Sequence, residues 1–167
     1  MRPATLAEAP LSTIGVIADT HGLLRPEALE ALAGCESIIH AGDVGSGPIL
    51  ATLGQLAPVV AVRGNVDRQG AAAALPATEV VTVHHHRHPW DLYVLHILGD
   101  LDLDPVEAGF AAVVYGHTHR PAAEVEDGVL YFNPGSAGPR RFQLPITVGK
   151  LHVTAHGLES EIIDLGL

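Results

Sequence analysis

Residues 12–22 read STIGVIADTHG: an apolar run that ends in the polar group Asp19-Thr20-His21, followed by Gly22. The run from Thr13 to Ala18 reads as a buried strand, and the fold follows from what comes after it. RPEALEALAG has Pro26 near a helix start and Gly34 at its end, the usual asymmetry. Leu29 and Leu32 are expected to face the core. SIIHAGD is a second short strand, GPILATLGQLA a second helix and PVVAVRGN a third strand. Strand and helix alternate, which predicts parallel pairing and an α/β layout.

The second half changes character. TEVVTV and DLYVLHIL read as two strands, with a histidine run between them as a hairpin tip. DPVEAGF is a short helix and AAVVYG another buried strand. EVEDGVLYFN is a hairpin around Asp127-Gly128, a pair that favours positive φ. ITVGKLHVTAH and SEIIDL form a closing hairpin. This half is expected to be mostly antiparallel. The whole predicts two packed sheets with helices outside, a four-layer sandwich. No repeat or linker divides it, so residues 1–167 are expected to form one domain, with 1–11 a loose tail.

Composition narrows the function. Of 167 residues, 47% are apolar and 17% charged, which excludes wholesale disorder. Apolar runs break within about ten residues, short of the roughly 20 that a membrane span needs. MRPATLAEAP has no apolar core of a signal peptide. Cys35 is the only cysteine, so neither an intrachain disulfide nor a multi-thiolate zinc site can form, and a cytoplasmic setting is expected. A net charge of −10 argues against stable nucleic-acid binding, which draws its affinity from lysine and arginine.

Five strands end in residues able to bind a hard or borderline cation. They are Asp19 and His21 in ADTHG, Asp43 in HAGD, Asn65 in RGNVD, His96 in VLHIL, and His117 and His119 in YGHTH. In open α/β sheets, ligands bind outside the carboxyl ends of the strands. Glycine accompanies most of these residues and permits the tight turns that bring such loops together. His-x-His places alternate residues of an extended segment on one side. Each motif alone is as consistent with a turn or a helix cap. Their succession on consecutive strand ends is far more specific.

The series DTH, HAGD, RGNVD, a strand histidine, GHTH and NPGS resembles the calcineurin-like metallophosphoesterase superfamily, in particular its small bacterial and archaeal phosphodiesterases. The resemblance runs from about Thr13 to the C-terminus. It implies a four-layer α/β/β/α sandwich of two mixed sheets. It also implies two divalent ions per chain, manganese first, with nickel, zinc or iron(II) as alternatives. Asp19, His21, Asp43 and His119 would hold one ion. Asp43, as a bridge, with Asn65, His96 and His117 would hold the other. Carboxylate, amide and imidazole suit such metals rather than calcium or copper(I). Ions roughly 3.5–4 Å apart can share a hydroxide and clamp an in-line displacement. Asp43, Asn65 and His117 would then act in catalysis through the metals, on a small phosphodiester. Two features depart from the wider pattern. Val66 stands where many members carry a histidine after Gly-Asn, although the small subgroup also lacks it and has an aspartate where Asp67 stands. Ile97 follows His96 where glycine is usual.

The remaining basic residues have plainer readings. His40 is expected to be a hydrogen-bonded core histidine, or one that orients the site. His152 and His156 are expected on the solvent face. His84, His85, His86 and His88 sit at a hairpin tip, where neighbours point to opposite faces and cannot converge on one ion; they read as a solvated loop. Arg63, Arg140 and Arg141 are candidate phosphate contacts, although Arg63 could instead pair with Asp67. NPGS, residues 133–136, is expected to be a supporting turn. The small-substrate phosphodiesterase reading has two rivals. One is a protein-binding scaffold like the superfamily's retromer subunit, whose metal site is impaired. The other is a nuclease, which usually brings extra DNA-contacting domains. The complete ligand set favours an enzyme. Homo-oligomerisation is left open.

Overall fold

The computed structural model describes residues 12–85 and 87–167; the expected N-terminal tail lies outside them. Ten strands form two five-stranded sheets. The first has the order β10-β9-β1-β2-β3 and the second β4-β5-β6-β8-β7. The first sheet begins as β1 (Ser12–Ile17), β2 (Ser37–His40) and β3 (Val59–Ala61), all parallel. Helices α1 (Pro26–Leu32) and α2 (Gly47–Gly54) make the crossovers. A one-turn helix α3 (Gly70–Ala73) follows β3 and was not legible in the sequence. The second sheet contains β4 (Thr78–His85), β5 (His88–Leu95), β6 (Ala112–Val114), β7 (Ala122–Glu126) and β8 (Val129–Asn133). A 3-10 turn (Leu98–Asp100) and α4 (Pro105–Ala108) join β5 to β6. Asp104 caps α4 by accepting from Val106 N at 2.9 Å, and Gly109 ends it at φ +78°.

Pairing in the second half is mostly antiparallel, as expected, and the parallel run of β5, β6 and β8 makes the second sheet mixed. The C-terminal hairpin, β9 (Thr147–Thr154) and β10 (Gly157–Asp164), returns to the first sheet, where β9 pairs antiparallel with β1. Both sheets are therefore mixed, and the helices lie outside them.

The apolar pattern explains the packing. Ile14, Val16 and Ala18 from β1 and its end meet Leu92, Val94, Val114 and Phe132 of the second sheet in the core between the sheets. Ile17 and Ile38 point the other way, against Leu32 of α1 and Leu53 of α2. Tyr93, Leu95 and Val113 face outward under Leu98, Leu101 and Phe110. Strands buried on both faces read as unbroken apolar runs, which is why β1 and β6 stand out in the sequence. α1 packs so closely that a Cβ on Gly15 would lie 2.7 Å from Leu32 Cδ2. Leu32 is fully buried, so truncating it to alanine would cost about 2–5 kcal/mol.

Candidate metal centre

The site forms where the carboxyl ends of β1, β2 and β3 in one sheet meet those of β5 and β6 in the other. Backbone bonds continue past the strands and tie these loops together. Asp19 N donates to Gly42 O at 3.0 Å, His21 N to Asp43 O at 2.9 Å, and Gly116 N to His96 O at 3.0 Å.

Two groups of side chains converge there. Ligand atoms of Asp19, His21 and His119 lie within 4.8 Å of one another, and so do those of Asp43, His96 and His117. His21 Nε2 is 3.3 Å from His119 Nε2, and Asp19 Oδ1 is 3.3 Å from His119 Nε2. Asp43 Oδ2 lies 3.1 Å from His96 Nε2 and 3.7 Å from His21 Nε2, so it touches both groups. Asn65 Oδ1 is 3.1 Å from His117 Nδ1. All seven residues singled out in the sequence are thus in one cluster. The donor set suits a cation: Asp19 Oδ1 and His96 Nε2 are buried and make no hydrogen bond. His96 Nδ1 lies 2.8 Å from Ala41 O, which fixes that nitrogen as the N–H and leaves Nε2 with its lone pair free. Asp19 divides its labour similarly, Oδ2 accepting from His117 N at 2.9 Å.

Backbone conformation marks the same residues. Asp19, His21, Asp43, His117 and His119 all have positive φ, between 46° and 72°. The left-handed region is uncommon for residues other than glycine and concentrates at functional sites. It also corrects the reading of GHTH. His117 and His119 do not share a face of an extended segment; they turn through left-handed conformations and serve different groups. The glycines beside the ligands have a reason beyond turning. A Cβ on Gly64 would fall 2.0 Å from Asp43 Oδ1, on Gly116 2.9 Å from Asp19 Oδ2, and on Gly42 2.6 Å from His96 Nδ1.

Electrostatics follows from this crowding. Burial disfavours the Asp19 carboxylate, but the imidazoles of His119, His21 and His96 outweigh it and hold Asp19 below the usual carboxylate range. Burial likewise opposes ionisation of Asp43, and His96 and the Val66 N–H outweigh it. Burial disfavours the His96 imidazolium, yet Asp43, the Ala41 carbonyl and Asp19 raise its pKa. Carboxylates kept ionised, with imidazoles beside them, form a set able to receive divalent cations.

Residues behind the cluster hold its loops. His40 is fully buried; its Nδ1 accepts from Gly42 N at 3.2 Å, so its Nε2 carries the proton toward Thr20 Oγ1 at 3.0 Å. Thr20 Oγ1 in turn donates to Val44 O at 2.9 Å. His40 is therefore both a satisfied core histidine and a tie between two ligand loops. Burial pushes its pKa down to about 4. Asp67 does not pair with Arg63. It accepts from Val44 N, Gly45 N and Gly64 N, at 3.1, 3.0 and 2.8 Å. Arg63 Nη1 donates instead to Leu75 O at 2.9 Å. Asn133 donates to Gly116 O and Thr118 Oγ1, and Ser136 Oγ to Asp19 O at 3.0 Å, so NPGS braces both histidine loops. The sequence signal for Thr20 was only its place between candidate ligands, and for Asp67 the aspartate the small subgroup carries there.

The other cationic groups fall elsewhere. His84, His85 and His88 lie on the β4–β5 strands at the hairpin end, with His85 paired to His88, and His86 is outside the described residues. His156 is exposed; His152 is partly covered between Thr13 Oγ1 at 3.0 Å and Glu161 at 2.8 Å. Arg140 and Arg141 are exposed, and Arg140 donates to Leu144 O and Leu167 O.

The profile of the calcineurin-like phosphoesterase superfamily domain matches residues 13–156, and the chain belongs to that superfamily. It is 38% identical to a probable metallophosphoesterase of Methanothermobacter thermautotrophicus, over 92% of each chain. It is 30% identical to the phosphodiesterase YfcE of Escherichia coli K12, covering 80% of this chain and 83% of that one. The structure of vacuolar protein sorting 29 from Cryptosporidium parvum superposes with a TM-score of 0.70 at 17% identity, covering 92% and 97% of the two chains. That last likeness is one of fold.

Proposed function

We propose that the chain is a dinuclear metal-dependent phosphodiesterase acting on a small phosphodiester. The observation that carries this reading is the adjacency of the two ligand groups, with Asp43 within 3.1 Å of His96 and 3.7 Å of His21. Asp19, His21 and His119 would hold one ion, Asn65, His96 and His117 the other, and Asp43 would bridge them. Two such ions, when bound, supply a water activated at neutral pH and neutralise charge growing on the phosphoryl oxygens. The chain's own residues do the rest. His40, Asp67, Asn133 and Ser136 keep the ligand loops in register. The Ala41 carbonyl sets the His96 tautomer. Arg63, on the wall of the pocket beside Asn65 and His96, has guanidinium donors beyond the one given to Leu75 and would meet a phosphate oxygen. Asp43, Asn65 and His117 would act in catalysis through the metals they hold.

Similarity to a named phosphodiesterase supports diester over monoester hydrolysis. The mixed oxygen and imidazole set suits manganese, nickel, zinc or iron(II), and of these manganese is the first proposed. Strands from both ends of the described residues complete the first sheet, which supports reading these residues as one domain. The lone buried Cys35 fits a reducing cytoplasm. No described helix is long and apolar enough to cross a membrane.

The shared fold with vacuolar protein sorting 29 motivates a second reading, a binding scaffold without catalysis. Seven convergent ligands speak against it. Elemental analysis of purified protein, with turnover of nitrophenyl mono- and diesters as each metal is restored, separates the two. Metal-dependent diester hydrolysis is expected. Firm metal binding without turnover of any ester would favour the scaffold.

A further inference from the structure

A pocket of about 450 Å³ opens beside the metal centre. Arg63 and Asn65 belong to the wall that leads out of β3. His96, Asp100 and Asp102 belong to the wall that follows β5. His96, 4% exposed, borders the pocket, with its Nε2 turned to the metal centre 3.1 Å from Asp43 Oδ2. Among the described residues, no cationic side chain pairs with Asp100 or Asp102. Tyr93 also lines the pocket, but it is only 8% exposed and its ring packs on Phe110 at 5.2 Å. Its face is therefore taken, and the pocket offers a nucleobase no other aromatic platform on which to stack.

The charge pattern of the pocket is one guanidinium toward Asn65 and two unpaired carboxylates beyond His96. A second anionic group on the substrate would meet the carboxylates and be disfavoured. A cationic group would be attracted. Building on the phosphodiesterase reading, we infer that this pocket selects zwitterionic phosphodiesters. The phosphate would lie at Asn65 and Arg63, and an ammonium-bearing alcohol would be held by Asp100 and Asp102. Asp100 is positioned by the 3-10 turn, its backbone N bonding Ile97 O at 3.0 Å, so the carboxylates are linked to His96 by a short, ordered path. Both carboxylates are solvent-exposed, so the preference is modest and screened by salt.

The test compares the choline and ethyl esters of 4-nitrophenyl phosphate on manganese-loaded protein. The choline ester should have a kcat/KM about fivefold higher at low ionic strength. That ratio should fall toward one at high salt and in the Asp100→Asn/Asp102→Asn variant. Calorimetry with phosphocholine and ethyl phosphate reads the same preference without turnover, and phosphocholine should bind about fivefold more tightly. Turnover of neither ester would contradict the phosphodiesterase reading alone, leaving the calorimetry to decide this one. Equal binding of the two probes, binding of neither, or a preference that survives the double substitution would overturn the inference.

Discussion

Gly64 lies directly against Asp43: a Cβ at position 64 would fall 2.0 Å from Asp43 Oδ1 and 2.3 Å from Asp43 N. Backbone cannot yield at that distance without moving the loop that carries Asn65. Gly64→Ala is therefore expected to lose more than about a hundredfold in turnover and to be destabilised by about 1–3 kcal/mol. Gly54→Ala is the control, because nothing lies within 4 Å of its added methyl. Metal content and chemical denaturation of both variants check this. Equal metal content and activity would mean that the close approach is not required.

His40 predicts a pH dependence of stability. Its folded pKa is depressed to about 4 from 6.5. Between those values the unfolded chain binds a proton that the native state does not. Stability from this group is therefore full above pH 6.5 and declines as pH falls toward 4, by on the order of 3 kcal/mol at pH 4. His40→Gln should be less stable at pH 7 but should lose less on acidification. Denaturant midpoints of both proteins from pH 7 to 4 measure the difference. Parallel curves would show that His40 is not the titrating group.

The histidine run should be dispensable. Its described members sit on the β4–β5 hairpin, outside the seven-residue cluster. Replacing His84, His85, His86 and His88 with serine should leave metal content and kcat unchanged within about twofold, as surface substitutions usually do. Loss of a tightly held ion would mean that the run is a binding site. A raised KM with metals intact would assign it to substrate contact.

Val66 predicts how the leaving group departs. It is 49% exposed beside Asn65, and it has no proton to give. Asp67 is no substitute, since its carboxylate accepts three backbone N–H bonds. General acid catalysis is worth roughly 10²–10⁴ in rate, so its absence should be visible. The rate should rise steeply as leaving-group pKa falls across a series of aryl diesters, and Val66→His should flatten the slope. A flat dependence in the natural chain would point to another proton donor.

The signals that mark this site in the sequence are local ones. Asp19, His21, Asp43, Asn65, His96, His117 and His119 were legible because each follows an apolar run that breaks abruptly. Alternation of strand and helix is also local, and it predicted the parallel β1–β2–β3 pairing. Sheet membership is not. β9 shows the period of a half-buried strand, but nothing in its residues says that its partner is β1, some 130 positions earlier. The left-handed φ of Asp43 or His117 was hidden for a similar reason, since tertiary bonds such as His117 N to Asp19 Oδ2 impose it. Glycine beside a ligand was visible, but its cause at Gly64 is a neighbour from another loop.

In the proposed centre, Asp43 would join two cations. Its carboxylate approaches His96 to 3.1 Å and His21 to 3.7 Å, and Asp19 Oδ1 spans the two groups comparably, 3.3 Å from His119 and 3.8 Å from His96. Asp43→Asn keeps the shape and removes the charge. Metal content and diester turnover of this variant under saturating manganese are the decisive measurement. Turnover should fall by more than about a hundredfold, beyond what loss of an outer supporting residue gives, with the fold intact and fewer than about two ions retained per chain. A folded Asp43→Asn protein that keeps two ions and most of its turnover would contradict the account.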